Sequence, residues 1–197
     1  MPEDIRIRTA NAGDVPALLA IYAPYVRETA ITFEYDVPSE TEFARRMEET
    51  LHHYPYLVAE EMRSGDPGRI LGYAYAGPFH VRPAYDWAVE TSIYVDRDRK
   101  HGGVGRILHD ALQDTLQKMG ILNMNACIAV PAGEGADPRL DRNSERFHAH
   151  MGYRLVGEFT KCGYKFGTWY DMVWMEKLIG AHLPEQPPVI PFPGLPC

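Results

Sequence analysis

One stretch of the sequence, residues 86–110, constrains the fold more than any other. It begins with a run typical of a β-strand, residues 87–95, and passes through a charged turn to three glycines, Gly102, Gly103 and Gly105, which open a helical pattern. Glycines let the backbone approach an anion closely, and the first N–H groups of a helix have no partner within it. A strand, a glycine loop and a helix in this order predict a phosphate-binding site.

The spacing of these glycines distinguishes the loop from two other phosphate loops. Lys100 and the glycines follow Lys-x-x-Gly-x-Gly, which is neither the G-x-G-x-x-G of a dinucleotide site nor a P-loop ending in Gly-Lys-Ser/Thr. On the glycines alone, a simple turn that begins a helix is an equally good interpretation. Glu90 favours the phosphate-site interpretation, because a carboxyl group in an apolar strand is costly to bury without a partner and needs a reason to be there. It is a candidate general base beside a cofactor site.

Composition excludes several classes of protein. The net charge is −7 and there is no long basic run, so nucleic-acid binding is not expected, although a local basic cluster could attract a phosphorylated cofactor: Arg97, Arg99, Lys100, His101 and Arg106. No apolar stretch is long enough to cross a bilayer, and residues 1–14 lack a signal-peptide pattern, so we expect no membrane partner and a cytoplasmic location. Three scattered cysteines, Cys127, Cys162 and Cys197, predict neither disulfides nor a metal site.

Periodicity and turn signals divide the chain into helices and strands. We predict strands at residues 5–8, 56–60, 70–76, 87–95, 124–130, 153–159 and 168–177, and helices that begin at residues 11–14, at Ser39, after the glycine loop and at Asn143. Pro24 should kink or end the first helix, and Gly120 should end the third. Residues 160–167 should be a connecting loop, and residues 132–140 a turn-rich insertion.

This order of elements predicts one α/β (α+β) domain, residues 1–179, with a mixed and mostly antiparallel central sheet flanked by helices. The tail, residues 180–197, is rich in proline and can form neither a helix nor a central strand.

Several segments together resemble the GCN5-related N-acetyltransferases (GNAT), and within them the phosphinothricin and L-amino-acid N-acetyltransferases. The glycine loop is similar to the Q/R-x-x-G-x-G/A pyrophosphate loop of the superfamily. Residues 76–90, A-G-P-F-H-V-R-P-A-Y-D-W-A-V-E, resemble the narrower group's Y-A-G-P-W/F-x-x-R-x-A-Y-x-x-T/A-x-E run. Residues 32–35 (T-F-E-Y), 147–153 (F-H-A-H-M-G-Y) and 163–172 (G-Y-K-F-G-T-W-Y-D-M) resemble further segments of that group. The resemblance covers residues 5–177 and implies the GNAT fold.

The resemblance implies transfer of an acetyl group from acetyl-CoA to the primary amine of a small amino-acid-like acceptor: phosphinothricin, methionine sulfone or sulfoximine, or an L-amino acid. It places the general base on Glu90, and a carboxylate with a raised pKa suits removal of the proton from such an amine. His148 would act as an acid or a second base. Two structural alternatives stay open: an ion pair between Glu90 and an arginine, and a packed His148 bonded to a carbonyl.

The resemblance also implies the residues around both substrates. Those expected to contact acetyl-CoA are Ile93, Tyr94, Val95, Lys100, His101, Gly102, Gly103, Val104, Gly105, Arg106 and Asn143, the last of which could instead cap its helix. Arg82 would pair with the acceptor's carboxylate, and Phe33, Tyr85 and Tyr94 would form pocket walls. A homodimer is expected, with Trp169 and Trp174 in the core or at the subunit interface.

Three departures from the family pattern concern the substrate more than the reaction. Lys100 replaces the usual glutamine or arginine, the insertion at residues 132–140 could reshape the acceptor pocket, and the proline-rich tail is a feature of this chain. Two other classes also remain: an acetyltransferase that modifies proteins or peptides, and an acetyl-CoA-binding module without catalysis.

Overall fold

A computed structural model describes residues 5–63, 66–99, 102–133 and 137–195. Within these ranges seven strands form one sheet in the order β1-β2-β3-β4-β5-β7-β6. Neighbouring strands are antiparallel except β4 and β5, which are parallel, so the predicted mixed sheet is confirmed. The strands are β1 Ile5–Thr9, β2 Tyr56–Arg63, β3 Asp66–Pro78, β4 Ala88–Val95, β5 Asn123–Pro131, β6 Arg154–Lys165 and β7 Thr168–Leu178.

Helices cover both faces of this sheet. They are α1 Val15–Glu28, α2 Glu40–Leu51, α3 Val104–Met119 and α4 Asn143–His150. Successive side chains of a strand point to opposite faces, and β2 shows the result: Tyr56 and Val58 pack with α1 and α2, whereas Leu57 and Ala59 pack with α3. Two apolar layers therefore enclose the sheet. None of the described helices combines the length and apolar character needed to cross a membrane.

Most predicted helix ends are confirmed, with one correction at Pro24. The Ser39 side chain accepts a hydrogen bond from the amide of Glu42 and begins α2, and Gly120, with φ of 86°, ends α3. α1 continues through Pro24 to Glu28, so of the two predicted effects of Pro24, a kink or an end of the helix, the end is wrong. A proline lacks the N–H group that would bond to the carbonyl four residues earlier. Here that carbonyl belongs to Ala20, which is exposed, so water can hydrogen-bond to it instead.

The predicted loop at residues 160–167 is also wrong. β6 continues to Lys165 and pairs with β7 on both sides of an irregularity between Phe159 and Gly163. The connection is a tight turn at Phe166 and Gly167, both with positive φ (54° and 76°), the geometry that favours two-residue hairpins. A bulge and a short turn thus replace the loop.

The proline-rich tail is docked on the domain. The indole of Trp87 donates to the carbonyl of Pro187 at 2.8 Å, the amide of Ile190 donates to Met119 at 2.9 Å, and the amide of Phe192 donates to His53 at 3.0 Å. The side chains of Val189, Phe192 and Leu195 pack against the apolar layer under α3. Apart from a 3-10 turn at Phe192–Gly194, residues 180–195 form no helix or strand, as predicted.

Candidate active site

β4 and β5 separate in the middle of the sheet. They pair at three positions, Ala88 with Asn123, Val89 with Met124 and Glu90 with Asn125. Beyond Glu90 a cleft of about 70 Å³ opens between residues 91–94 of β4 and residues 126–129 of β5. Its remaining walls are Ile31, Ser144 and His148. Ile93 and Tyr94, predicted to contact the cofactor, both line this cleft.

Glu90 is the last residue of β4 that pairs with β5, and it lies where the cleft begins. Its carboxyl is half-buried, and burial raises its pKa above the usual 4.5, against a smaller opposing effect of His80. Within the described part of the chain no arginine or lysine pairs with it, so the alternative of a structural ion pair finds no partner there. On the neighbouring strand, Gly77 lies directly opposite, and a side chain added there would meet nothing within 4 Å. There is open space beside this carboxyl.

The glycine loop leads from β4 into α3 as predicted. Gly103 occupies the N-cap position with φ of 75°, and no side chain of the described ranges caps the helix, so its first N–H groups point outward without a side-chain partner there. Gly102 and Arg106 are exposed, Val104 is buried, and Gly105 lies under the ring of Phe147. Lys100 and His101 lie outside the described residues. This end of α3 is a suitable anion site.

Val95, at the end of β4, makes its contacts within the protein. Its carbonyl accepts a hydrogen bond from the hydroxyl of Tyr25 at 2.6 Å, and its side chain packs against the layer under α3. These contacts fix the strand end from which the glycine loop departs.

His148 is a buried histidine of defined tautomer. Its Nδ1 lies 2.8 Å from the carbonyl oxygen of Ser144, and since a carbonyl only accepts, Nδ1 carries the proton. Burial lowers its pKa to about 4. The ring is therefore neutral at pH 7, with an unprotonated Nε2, and it can accept a proton or hydrogen bond but has none to donate from Nε2. The carbonyl bond considered as an alternative is present, and the ring also lines the cleft.

Asn143 begins α4 but does not cap it. Arg142 occupies the N-cap position, and the carboxylate of Asp141 accepts from both the backbone amide, at 3.0 Å, and the side-chain amide of Asn143. The capping interpretation of Asn143 is therefore wrong: it is the first helical residue, one position after the N-cap, and its side-chain amide donates to Asp141.

The residues expected around the acceptor occupy two places. Arg82 is exposed beside the 3-10 turn Pro83–Tyr85, and no carboxylate in the described ranges pairs with it. Tyr85 lies near the rings of Phe79 and His80. The rings of Phe79, His80 and Tyr85, with Trp174 and Asn125, border a groove of about 970 Å³ on the face of the sheet that carries Glu90.

Phe33 and Tyr94 lie on the other side of the candidate site. Phe33 covers Gly163 and contacts Tyr170, with ring centroids 6.2 Å apart. Tyr94 packs edge-on against Tyr22 and Tyr25 while it also lines the cleft. Tyr94 is thus a packing residue that also forms a wall of the cleft, whereas Phe33 packs on the β6–β7 hairpin.

Several residues at the site escaped the sequence analysis. Ile31 and Cys127 line the cleft, and burial, with the nearby Glu90, raises the pKa of the Cys127 thiol to about 12, so it stays protonated. Lys165 holds the segment that carries Ile31. The only one of them with a signal in the sequence is Lys165, which belongs to the family-like segment at residues 163–172.

Trp169 is 52% exposed on the hairpin, so its assignment to the core is wrong and the interface alternative is left. Trp174 lies half-buried against Phe79. Among the residues that the structure describes, no group of three or more histidine, cysteine, aspartate or glutamate side chains could hold a metal ion.

Comparison with known proteins agrees with this architecture. The family model described as "Acetyltransferase (GNAT) domain" matches residues 7–174. The chain is 31% identical over 183 residues to the phosphinothricin N-acetyltransferase of Streptomyces viridochromogenes, covering 93% of this chain and 92% of that protein. It is 32% identical over 171 residues to the L-methionine sulfoximine/L-methionine sulfone acetyltransferase of Pseudomonas aeruginosa, covering 86% and 92%.

The fold is similar to that of a solved phosphinothricin acetyltransferase from Sinorhizobium meliloti in complex with acetyl-CoA. The TM-score is 0.78 at 33% identity, covering 90% of this chain and 89% of that one. The cosubstrate expected from the sequence is thus the ligand of that relative. The chain belongs to the GNAT acetyltransferases and, within them, to the phosphinothricin, methionine sulfoximine and L-amino-acid N-acetyltransferase type.

Proposed function

We propose that this enzyme transfers the acetyl group of acetyl-CoA to the primary amine of a small amino-acid-like acceptor, such as phosphinothricin, methionine sulfone or sulfoximine, or an L-amino acid. The observation that carries the proposal is the position of Glu90: a half-buried, unpaired carboxyl with a raised pKa, at the point where β4 and β5 separate.

The residues of the cleft and of the glycine loop fit acetyl-CoA. The uncapped start of α3 at Gly103 offers N–H groups to the pyrophosphate, and its helix dipole adds a favourable potential. The narrow cleft between residues 91–94 and 126–129 suits the slender pantetheine arm. Bound there, the cosubstrate supplies an acetyl thioester close to Glu90.

Glu90 acts as the general base. An acceptor amine is mostly protonated at neutral pH and must lose a proton before it can attack the thioester carbon. The N–C bond then forms as the C–S bond breaks, and CoA leaves as a thiolate that takes up the second proton released from the nitrogen. The carboxylate accepts this proton directly or through one water, and its raised pKa makes it a better match to neutral pH. The open space above Gly77 gives the amine a route to it.

His148 assists as a hydrogen-bond acceptor, because an imidazole with a pKa of about 4 does not take up a proton at neutral pH. Its Nδ1–H is held by Ser144, so the free Nε2 lone pair is the group that it can present to the cleft. The role as an acid is not supported by this tautomer, whereas the role as a second acceptor is.

Arg82 recognises the carboxylate of the acceptor. An exposed guanidinium without a carboxylate partner is free to form a bidentate pair with a substrate. Tyr85 borders the groove beside Glu90, and Tyr94 lines the cleft. Phe33 is proposed as a further wall from its place over Gly163 of the β6–β7 hairpin. An acceptor that bridges Arg82 and Glu90 places its amine at the base and its side chain over the groove.

We further propose a homodimer in the cytoplasm. β6 is an edge strand with exposed apolar side chains at Leu155, Val156 and Phe159, and an uncovered strand of this kind favours pairing with a second copy. The free thiols of Cys127 and Cys162 support an intracellular location, where thiols stay reduced.

The test is release of the CoA thiol from acetyl-CoA with a panel of amines: phosphinothricin, methionine sulfone, methionine sulfoximine, free L-amino acids, polyamines and a lysine peptide. We expect turnover of an amino-acid-like compound by the wild type and a loss of about 10²–10⁴-fold in Glu90→Gln. Glu48→Gln, an exposed carboxylate on α2, is the matched control and should keep full activity. Turnover of the peptide alone would instead favour a protein-modifying enzyme. No thiol release with any amine, while acetyl-CoA still binds, would favour a non-catalytic module.

A further inference from the structure

The docked tail contributes to the groove that begins beside Glu90. His182, Leu183 and Gln186 form one side of it, opposite Phe79, Tyr85 and Trp174. No family motif identified in the sequence reaches this far, so this side of the groove belongs to the part of the chain that departs from the family pattern.

Residues 182–187 are held in place at both ends. The Nε2 atom of His182 lies 2.9 Å from Oδ1 of Asn123, and Pro187 accepts the hydrogen bond from Trp87. Between them the amide of Leu183 donates to the side chain of Gln186 at 3.0 Å, which closes a local turn. A segment fixed in this way can act as a wall, because its position does not depend on a bound ligand.

The groove is continuous with the candidate catalytic carboxyl. Ala88 and Asn125 line its floor; Ala88 lies two residues before Glu90 on the same face of β4, about 7 Å along the strand, and Asn125 is the cross-strand partner of Glu90. His80, which borders the groove, is close enough to Glu90 to influence its charge. An acceptor whose amine reaches Glu90 therefore extends its side chain into this groove.

The chemistry of the walls indicates what that side chain should be. Aromatic and aliphatic side chains predominate, among them Phe79, Trp174 and Phe159, and Leu183 adds an apolar group that is 53% exposed at the rim. When an apolar ligand covers exposed apolar surface next to a reactive group, the burial of that surface stabilises the complex. Polar atoms from Asn125 and His182 are present but already hydrogen-bonded within the protein.

We propose that residues 182–186 of the C-terminal tail form a specificity wall of the acceptor site, and that Leu183 selects α-amino acids with a long apolar or aromatic side chain. The inference rests on the proposed function and narrows it to an acceptor class. The tail here determines which acceptor is bound and takes no part in the chemical step.

The experiment compares kcat/KM for L-alanine, L-methionine, L-phenylalanine and phosphinothricin in the full-length wild type, Leu183→Ala and Leu183→Trp. We expect the wild type to prefer L-methionine or L-phenylalanine, and Leu183→Trp, which fills the groove, to lose at least about 10-fold in kcat/KM for L-phenylalanine relative to L-alanine. Leu183→Ala should weaken the same preference through lost contact. KM for acetyl-CoA should not change.

Glu185→Ala is the matched control, because Glu185 is exposed on the same segment and does not border the groove. Thermal unfolding of each variant verifies that the tail remains docked. A wild type inactive on all amines would overturn the proposed function and this inference with it. An active wild type that prefers phosphinothricin, or variants with unchanged selectivity, would overturn the inference alone. A change of oligomeric state in Leu183→Trp without altered selectivity would also overturn it and identify the groove as a subunit interface.

Discussion

The ammonium nitrogen of Lys165 lies 2.9 Å from the carbonyl oxygen of Thr29, a residue 136 positions earlier in the chain. It also donates to the carbonyl of Thr32 at 2.7 Å, and the side chain is only 1% exposed. The segment between these carbonyls carries Ile31, a wall of the cleft. The β6–β7 hairpin therefore holds the loop after α1 in place over the candidate site.

Lys165→Met should disturb both the fold and the site. The two carbonyls lose a charged donor, and we expect a loss of about 1–3 kcal/mol in the free energy of unfolding, measured in urea. The released segment should raise KM for both substrates more than it lowers kcat. Lys161→Met, an exposed lysine on the same hairpin, is the control; equal effects of the two substitutions would contradict this role.

Gly103→Ala should weaken acetyl-CoA binding. The residue has φ of 75°, so alanine costs about 1 kcal/mol in backbone strain, and the new methyl group stands at the start of α3 where the pyrophosphate is proposed to bind. Gly120→Ala carries the same kind of strain, with φ of 86°, at the opposite end of α3. Calorimetric titration with CoA should show weaker binding only for the first variant, although both melt earlier.

Arg82→Ala should affect only acceptors that carry a carboxylate. Loss of a charge-assisted pair of hydrogen bonds corresponds to about 1.5–3 kcal/mol, or roughly a 10- to 100-fold increase in KM for an α-amino acid. The methyl ester of the same amino acid should react alike with wild type and variant. A comparable loss for the ester would indicate that Arg82 supports the loop and does not bind the carboxylate.

The pH dependence of the reaction should report on Glu90. Its pKa is raised in the folded protein by burial, and the base works only when ionised, so kcat/KM should rise with pH through that pKa. The ionised form is disfavoured in the folded state, hence this carboxyl's contribution to stability decreases as pH rises. Glu90→Gln should therefore lose the acidic limb of the rate profile and be at least as stable as wild type at pH 7; a less stable variant would point to a structural pairing.

His148 should make the protein sensitive to acid. Its pKa of about 4 in the folded state lies below the usual 6.5, so between these values the unfolded chain binds a proton that the native state does not. The free energy of unfolding should therefore fall as pH decreases from about 6.5 to about 4. Replacing His148 by leucine should reduce this fall by on the order of 2 kcal/mol. Ala149→Leu, at an exposed position of the same helix, adds a leucine without removing a titratable group and should leave the slope unchanged.

Local signals predicted the centre of the fold well, because its chemistry is local in sequence. The order strand, glycine loop and helix around Gly103, the cap at Ser39 and the end of α3 at Gly120 each depend on a few neighbouring residues. The failures have physical causes outside that range. Pro24 is tolerated because the carbonyl it leaves unpaired, that of Ala20, belongs to an exposed residue, and Asn143 is the first helical residue of α4, one position after the N-cap Arg142.

Contacts between distant segments could not be read from the pattern. Nothing in the periodicity of residues 163–172 indicates that Lys165 bonds to Thr29, and the prolines of the tail exclude a helix without showing where the segment docks. The resemblance to a family supplied candidate site residues, and only the coordinates show that Ile93 and His148 share one cleft.

The separation of β4 from β5 leaves two unpaired edges inside the sheet. A free edge normally offers its N–H and C=O groups to any extended chain and promotes aggregation. Here the gap between residues 91–94 and 126–129 is narrow and is closed by Ile31 and His148, so another protein strand cannot enter it. The enzyme thus keeps backbone groups available for a thin ligand while the risk of intermolecular pairing is confined to the outer strands β1 and β6.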